Sequence, residues 1–148
     1  MLYANGLSLP LQQSVKLTAS ELTEVLNSSN IILYQSIIGK LIYAMIATRL
    51  DLAFTVSLLG QFNAAPSKIH LEAAKKTIRY LKQTTTVGIT YSANSLQELR
   101  GFCDSDWARD LDSWRFTSSY VFCLSGGAIS WKSKRQQTVA LSSTEAKY

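Results

Sequence analysis

The apolar residues of this chain change their repeat in its last third, and that change limits the folds open to it. From Ile31 to Ala47, residues Ile37, Ile38, Leu41, Ile42 and Met45 recur at three- and four-residue steps, the repeat of an amphipathic helix. Gly39 inside this run lowers helix propensity and permits close packing. Thr48-Arg49-Leu50-Asp51 has the pattern of a capping box and opens a second helix to about Phe62. Ser67, after Pro66, caps a third helix to about Lys82, with Leu71, Ala74, Ile78 and Leu81 as its apolar stripe. Gln83 to Gly88 close that segment, and in the last third the period becomes two. Ile89-Thr90-Tyr91 predicts a short strand, Ser92 to Gln97 a turn, and Leu99 to Asp104 and Ser118 to Leu124 longer strands. Ser125-Gly126-Gly127 supplies a tight turn into Ala128–Trp131. Lys132 to Gln137 reads as a basic loop, Thr138 to Leu141 as a third or continued strand, and Ser142 as the start of a helix. Residues 1–30 read as a poorly structured lead-in, with one short turn from Ser20 to Leu26 and loop at Asn27-Ser28-Ser29-Asn30. The expected class is α/β, with a helical segment over 31–92 and a sheet over 93–148.

Composition narrows the partners. Hydrophobic residues at 47% and charged residues at 17% fit a folded chain rather than a disordered one. A net charge of +5 favours a polyanionic partner, and the placement of the cations decides whether one is held. Cys103 and Cys123 are far apart in apolar contexts, lack zinc-site spacing, and read as reduced core or near-core thiols of an intracellular protein. The N-terminus lacks the pattern of a secretory signal. Lys40, Arg49 and Asp51 interrupt the apolar stretches, so no membrane span is expected.

Two acidic motifs carry the candidate chemistry. The first is Gly101-Phe102-Cys103-Asp104-Ser105-Asp106-Trp107-Ala108, and the second is Ser142-Ser143-Thr144-Glu145-Ala146-Lys147-Tyr148. An acid ending a strand and another opening the following helix can converge on one divalent cation, and hard ions such as Mg²⁺ favour oxygen ligands. The plainer reading makes Asp104, Asp106, Asp110 and Asp112 solvated loop acids and Glu145 the third helical residue of a Ser142 capping box. On spacing alone the plainer reading is favoured. Lys68, Lys75, Arg79 and Lys82 fall on one helix face by steps of seven, four and three, as phosphate-tracking cations or as an ordinary solvated face. Lys132, Lys134 and Arg135 either contact a nucleic-acid backbone near the acidic motifs or form a soluble hairpin tip. His70 has no partner triad and reads as a surface residue at a helix start. Trp107, Trp114 and Trp131 read as packing residues, and Ser142 and Ser143 have no evident base for nucleophilic catalysis.

Four blocks, in order, resemble the Pol polyprotein of copia-type long-terminal-repeat retrotransposons. They are Tyr34-Gln35-Ser36-Ile37-Ile38-Gly39-Lys40-Leu41; Thr48-Arg49-Leu50-Asp51-Leu52-Ala53; Pro66-Ser67-Lys68 with Glu72-Ala73-Ala74-Lys75 and Arg79-Tyr80-Leu81-Lys82; and Asp104-Ser105-Asp106-Trp107-Ala108 through Ser142-Ser143-Thr144-Glu145-Ala146. The resemblance implies a helical part like the thumb or connection of a reverse transcriptase, followed by an incomplete ribonuclease H-like mixed sheet. It implies Mg²⁺-dependent cleavage of RNA in RNA–DNA hybrids as the parent activity, with Asp104 and Glu145 as catalytic metal ligands and Asp106 as a substitute for Asp104. Such sites hold two ions about 3.5–4 Å apart and need further acids, which the family carries downstream of the residues matched by Tyr148. The polymerase's own aspartates lie upstream in the family and have no equivalent here. The chain departs from the usual pattern at Leu50 (often proline), Trp114 (charged), Phe116 (serine), Ser119 (glycine) and Lys147 (acidic). The alternatives are a non-catalytic module that binds duplex or hybrid or docks on the upstream polymerase domain, and a functionless transposon remnant.

Overall fold

The computed structural model describes residues 7–11, 17, 26–94, 97–106 and 117–136. It falls into two compact units, residues 1–88 and 89–148. The class is α/β: the first unit is helical, and the second carries a three-stranded antiparallel sheet.

Helix α1 runs from Ser28 to Ala47. It starts three residues before the predicted Ile31 because Asn27 caps it, its Oδ1 accepting from the Asn30 N–H at 3.0 Å. Asn27-Ser28-Ser29-Asn30, expected as loop, is therefore the cap and first turn. Tyr34, Ile37, Ile38 and Leu41 are buried, and the Tyr34 hydroxyl donates to the Leu59 carbonyl at 2.6 Å. Burial pushes the Tyr34 phenol well above its ordinary pKa. Gly39 lies on the open side of α1, with nothing within 4 Å of a Cβ built there, so it provides no close approach. At 20 residues α1 is long and apolar enough to cross a bilayer despite Lys40, which corrects the expectation that no segment is. The core helix of a soluble protein passes the same test, but only 17% of the apolar window of α1 is buried: Tyr34, Ile37, Ile38 and Leu41 face the core, while Ile32, Tyr43 and Ile46 are exposed.

A 3-10 turn, Leu50–Leu52, leads into α2, Ala53–Gly60. The predicted capping box does not form: Thr48 ends α1, and Asp51 pairs with Arg49 instead. Helix α3 spans Lys68–Gln83. At its start the Ser67 N–H donates to His70 Nδ1 at 3.0 Å, and the imidazole stacks on Phe62 with centroids 3.9 Å apart. His70 is only 2% exposed, so the expected surface histidine is a buried cap residue. Its ring fills an apolar gap while Nδ1 satisfies an N–H that would otherwise be orphaned.

Leu52, Val56 and Leu59 meet Leu71, Ala74 and Tyr80 against the inner face of α1. A side chain such as Leu59, fully buried, contributes roughly 1.5–3 kcal/mol by leaving water. The lead-in also takes part. Leu7, Leu11, Leu17 and Leu26 pack on this core, and the Pro10 carbonyl accepts from Thr77 Oγ1 at 3.1 Å. The turn expected from Ser20 lies almost entirely outside the described residues.

In the second unit β1 (Arg100–Asp106), β2 (Thr117–Leu124) and β3 (Gly127–Arg135) pair in that order. The β2–β3 turn places Ser125 at φ 51 and Gly126 at φ 80, the left-handed pair that matches the twist of a hairpin. A bulge interrupts the register between Phe122 and Cys123; Cys123 is half-buried, but Cys103 is exposed on β1 rather than in a core. β3 continues to Arg135, so the expected basic loop is strand from Lys132 to Arg135. Long lysine stems are compatible with an outer strand. No strand forms at Ile89-Thr90-Tyr91. Instead the Tyr91 hydroxyl donates to the Ala128 carbonyl at 2.7 Å, and its ring occupies the space a Cβ at Gly127 would need. Thr138–Leu141 and the helix expected from Ser142 lie outside the described residues.

Candidate nucleic-acid interface and carboxylate site

Helix α3 is divided lengthwise. Leu71, Ala73, Ala74, Thr77 and Tyr80 are buried, while Lys68 and Lys82 are exposed and Lys75 and Arg79 half-exposed. The four predicted cations therefore share the side turned from the core. Thr77 is held inside by its hydroxyl, whose single proton is shared between the Ala73 and Pro10 carbonyls, each 3.1 Å away. A polar residue is thus buried without leaving its oxygen unsatisfied.

A charged cluster fixes the C-terminal end of this helix. Arg49, 7% exposed, holds Asp51 with two bonds, Nε to Oδ1 at 3.0 Å and Nη2 to Oδ2 at 2.8 Å. Its Nη1 donates to the Thr84 carbonyl at 2.9 Å, and Nη2 donates to Thr84 Oγ1 at 2.6 Å. Tyr80 donates to Asp51 Oδ2 at 2.7 Å, and the guanidinium carbon lies 5.5 Å from the Tyr80 ring centroid. Partial burial pushes the Asp51 pKa up, but the bonds from Arg49 and Tyr80 and the guanidinium charge outweigh it, so the carboxyl lies below its usual range. Burial, then the bond to Asp51, raises the Tyr80 phenol. Arg49 thereby ties the α1–α2 connection to Thr84, the residue that ends α3. Sequence reading took Asp51 for a cap. The missed signal was an arginine and an aspartate two residues apart inside an apolar stretch, where buried charges need each other.

The sheet separates the remaining candidates. Asp104 pairs with Ser119, which pairs with Ser133; it is exposed, and its carbonyl accepts from Ser119 Oγ at 3.4 Å. Asp106 stands at the register position facing Thr117, itself facing Arg135. Lys132 faces Tyr120 and Lys134 faces Ser118. Since strand neighbours alternate, Lys132 and Lys134 lie on the sheet face opposite Asp104, and Arg135 lies on the Asp104 face. The three cations read as one group are therefore split. Glu145, Trp107, Trp114, Asp110 and Asp112 lie outside the described residues. Trp131, half-buried, faces Val121.

Among the described residues no group of three His, Cys, Asp or Glu side chains is gathered to hold a metal ion. Asp104 is a hard oxygen donor suited to Mg²⁺. By itself it does not make a two-ion site.

No family model matches the chain, and no solved structure matches it. Curated relatives do. A protein named secreted RxLR effector protein 161, from Plasmopara viticola, is 47% identical over 115 residues, 78% of this chain and 81% of that protein. The retrovirus-related Pol polyprotein from transposon TNT 1-94 of Nicotiana tabacum is 44% identical over 115 residues, 78% of this chain and 9% of the polyprotein. The corresponding polyprotein from transposon RE1 of Arabidopsis thaliana is 36% identical over all 148 residues, 10% of its length. The chain thus spans about a tenth of the length of these Pol polyproteins. It belongs to the retrovirus-related Pol polyproteins of transposons, the family its ordered motifs resemble.

Proposed function

We propose that this chain corresponds to the stretch of a copia-type Pol polyprotein where the reverse transcriptase region runs into the ribonuclease H domain, and that it holds the backbone of an RNA–DNA hybrid or duplex. The helical unit is then thumb- or connection-like, and the three strands begin a ribonuclease H-like mixed sheet. The observation that carries the reading is the division of α3, with Lys68, Lys75, Arg79 and Lys82 all on the side away from the core. Cations spaced along one helix face meet successive phosphates, and lysines at such positions fix register without reading bases. Neutralising up to four phosphates gives a slope of log K on log salt of about −3 to −4.

The parent activity is Mg²⁺-dependent cleavage of the RNA strand, inside the cell. In that activity Asp104 is a metal ligand at the end of β1 and Glu145 its partner, with Asp106 as substitute. Bound Mg²⁺ would supply charge stabilisation and an activated water. Two carboxylates can place one hard cation, but fixing two ions needs further ligands. The chain by itself is therefore a holding segment rather than a cutting one.

The binding half is tested by fluorescence anisotropy on a labelled hybrid across a salt series. Lys75→Ala/Arg79→Ala/Lys82→Ala is expected to weaken binding at low salt by tenfold or more and to flatten the slope by about three units. Wild-type affinity in the triple variant contradicts the reading. A second reading, a module working outside any polyprotein, is favoured by the Plasmopara viticola relative, since the shared residues make up 81% of that protein. It keeps the α3 contact and drops the parent cleavage.

A further inference from the structure

The register of the sheet sorts side chains by charge. Residues directly opposite across antiparallel strands share a face. Tyr120 and Phe122 of β2 therefore lie on one face, with Cys103 and Gly101 of β1 beside them and Lys132 and Lys134 of β3 on the far side. Among the described side chains this face carries no carboxylate, and Asp104 is on the reverse. Both rings are open to solvent, Tyr120 by 36% and Phe122 by 41%. Their centroids are 5.5 Å apart and their planes inclined by 55°, so they form one continuous aromatic patch. Gly101 is part of its construction. A Cβ there would come 2.8 Å from the Phe122 ring, so the missing side chain lets the ring lie across β1. Lys132 and Lys134 are exposed on the outer strand.

The geometry points to this face as a platform for unpaired nucleotides, with Tyr120 and Phe122 stacking on bases and Lys132 and Lys134 meeting phosphates. Exposed ring faces gain little from water, and every base has a π-face to offer them. Paired bases hide those faces inside the duplex, so single strands are the occupant of choice. Sheet faces bearing aromatic residues stack unpaired bases in other modules. The lysines complement a polyanion and carry no amide group that would read base edges, so binding is indifferent to sequence. This surface is separate from the cationic face of α3 and stands whether or not that face holds a duplex.

The test uses the whole chain and a short labelled oligothymidylate, with a blunt duplex as comparison. Tyr120→Leu/Phe122→Leu keeps apolar bulk on the strand and removes the π-faces; circular dichroism and the thermal midpoint check that it folds. Binding of the oligothymidylate is expected to fall at least tenfold, because the bases lose both rings they stack on. Duplex affinity is expected to stay unchanged. Lys132→Gln/Lys134→Gln, which leaves the rings in place, is expected to reduce the salt slope by one to two units. The Lys75→Ala/Arg79→Ala/Lys82→Ala variant is expected to show the reverse pattern, losing duplex and keeping the single strand. The proposal is overturned if the leucine variant binds oligothymidylate as the wild type does, or loses both ligands equally. It is overturned as well if the wild type does not bind the single strand, which would leave another occupant, such as a second copy or a further segment of polyprotein, to cover the rings.

Discussion

The two units solve the burial of apolar surface differently. In the helical unit one set of apolar side chains forms a core, with Tyr34, Leu52, Leu59 and Ala74 fully out of water and the buried polar groups Arg49, Thr77 and His70 partnered, while Ile32, Tyr43 and Ile46 on the outer side of α1 are exposed. In the sheet unit Ala128 is the only buried hydrophobic residue among those described, while Phe102, Tyr120, Phe122 and Ile129 are open to solvent. A three-stranded sheet needs a covered hydrophobic face to be stable by itself. The helical unit therefore holds the buried core of what is described, and the sheet leaves most of its described apolar side chains open to solvent.

The contrast breaks most readily in the core. Leu59→Ala is expected to cost about 2–5 kcal/mol in urea denaturation, since it leaves a cavity among rigid neighbours. Phe102→Ala, at a side chain 61% exposed, is expected to stay within about 1 kcal/mol. Equal losses would mean that Phe102 is covered in the folded protein. Arg49→Ala comes next. It leaves Asp51, the Thr84 carbonyl and the face of the Tyr80 ring without their cation, and removing one partner of a buried pair costs about 3–5 kcal/mol. Asp51 is 29% exposed, so solvent trims the expected loss to about 2–3 kcal/mol. Asp51→Asn is milder, because the amide oxygen still accepts one bond.

The smallest expected effect is on pH. The folded-state carboxyl of Asp51 lies below its unfolded value, so its contribution is present above about pH 4 and is lost as the pH falls through the folded value. The urea midpoint of the helical unit is therefore expected to drop on acidification below about pH 4, and Asp51→Asn to remove most of that drop. An unaltered acid limb in the variant would show that Arg49 and Asp51 are not coupled in solution.

Helix periodicity placed α1 and α3 nearly in register with the structure, because Leu41, Leu71 and Ala74 recur at the spacing that lines one helix face. The cationic side of α3 followed from the same geometry. The Arg49 cluster did not, since Thr84 and Tyr80 are 35 and 29 residues from their partners and no local pattern announces a contact that long-range packing creates. His70 was misplaced for the same reason: the ring of Phe62, not its own neighbours, buries it. The strand character of Lys132–Arg135 was obscured by four consecutive polar residues, three of them basic, which read as loop until the partner strand β2 is seen opposite them. The family was legible because ordered motifs survive where each is weak alone. The convergence of Asp104 with Glu145 lies outside the described residues.

The most direct test follows one labelled RNA–DNA hybrid with the purified chain in Mg²⁺ and, separately, in a chelator, beside the Asp104→Asn variant. A holding segment binds the hybrid in both conditions, releases it as salt rises, and leaves the RNA strand intact. Robust Mg²⁺-dependent cleavage that disappears in Asp104→Asn would contradict that claim and show that the chain assembles a complete two-ion site.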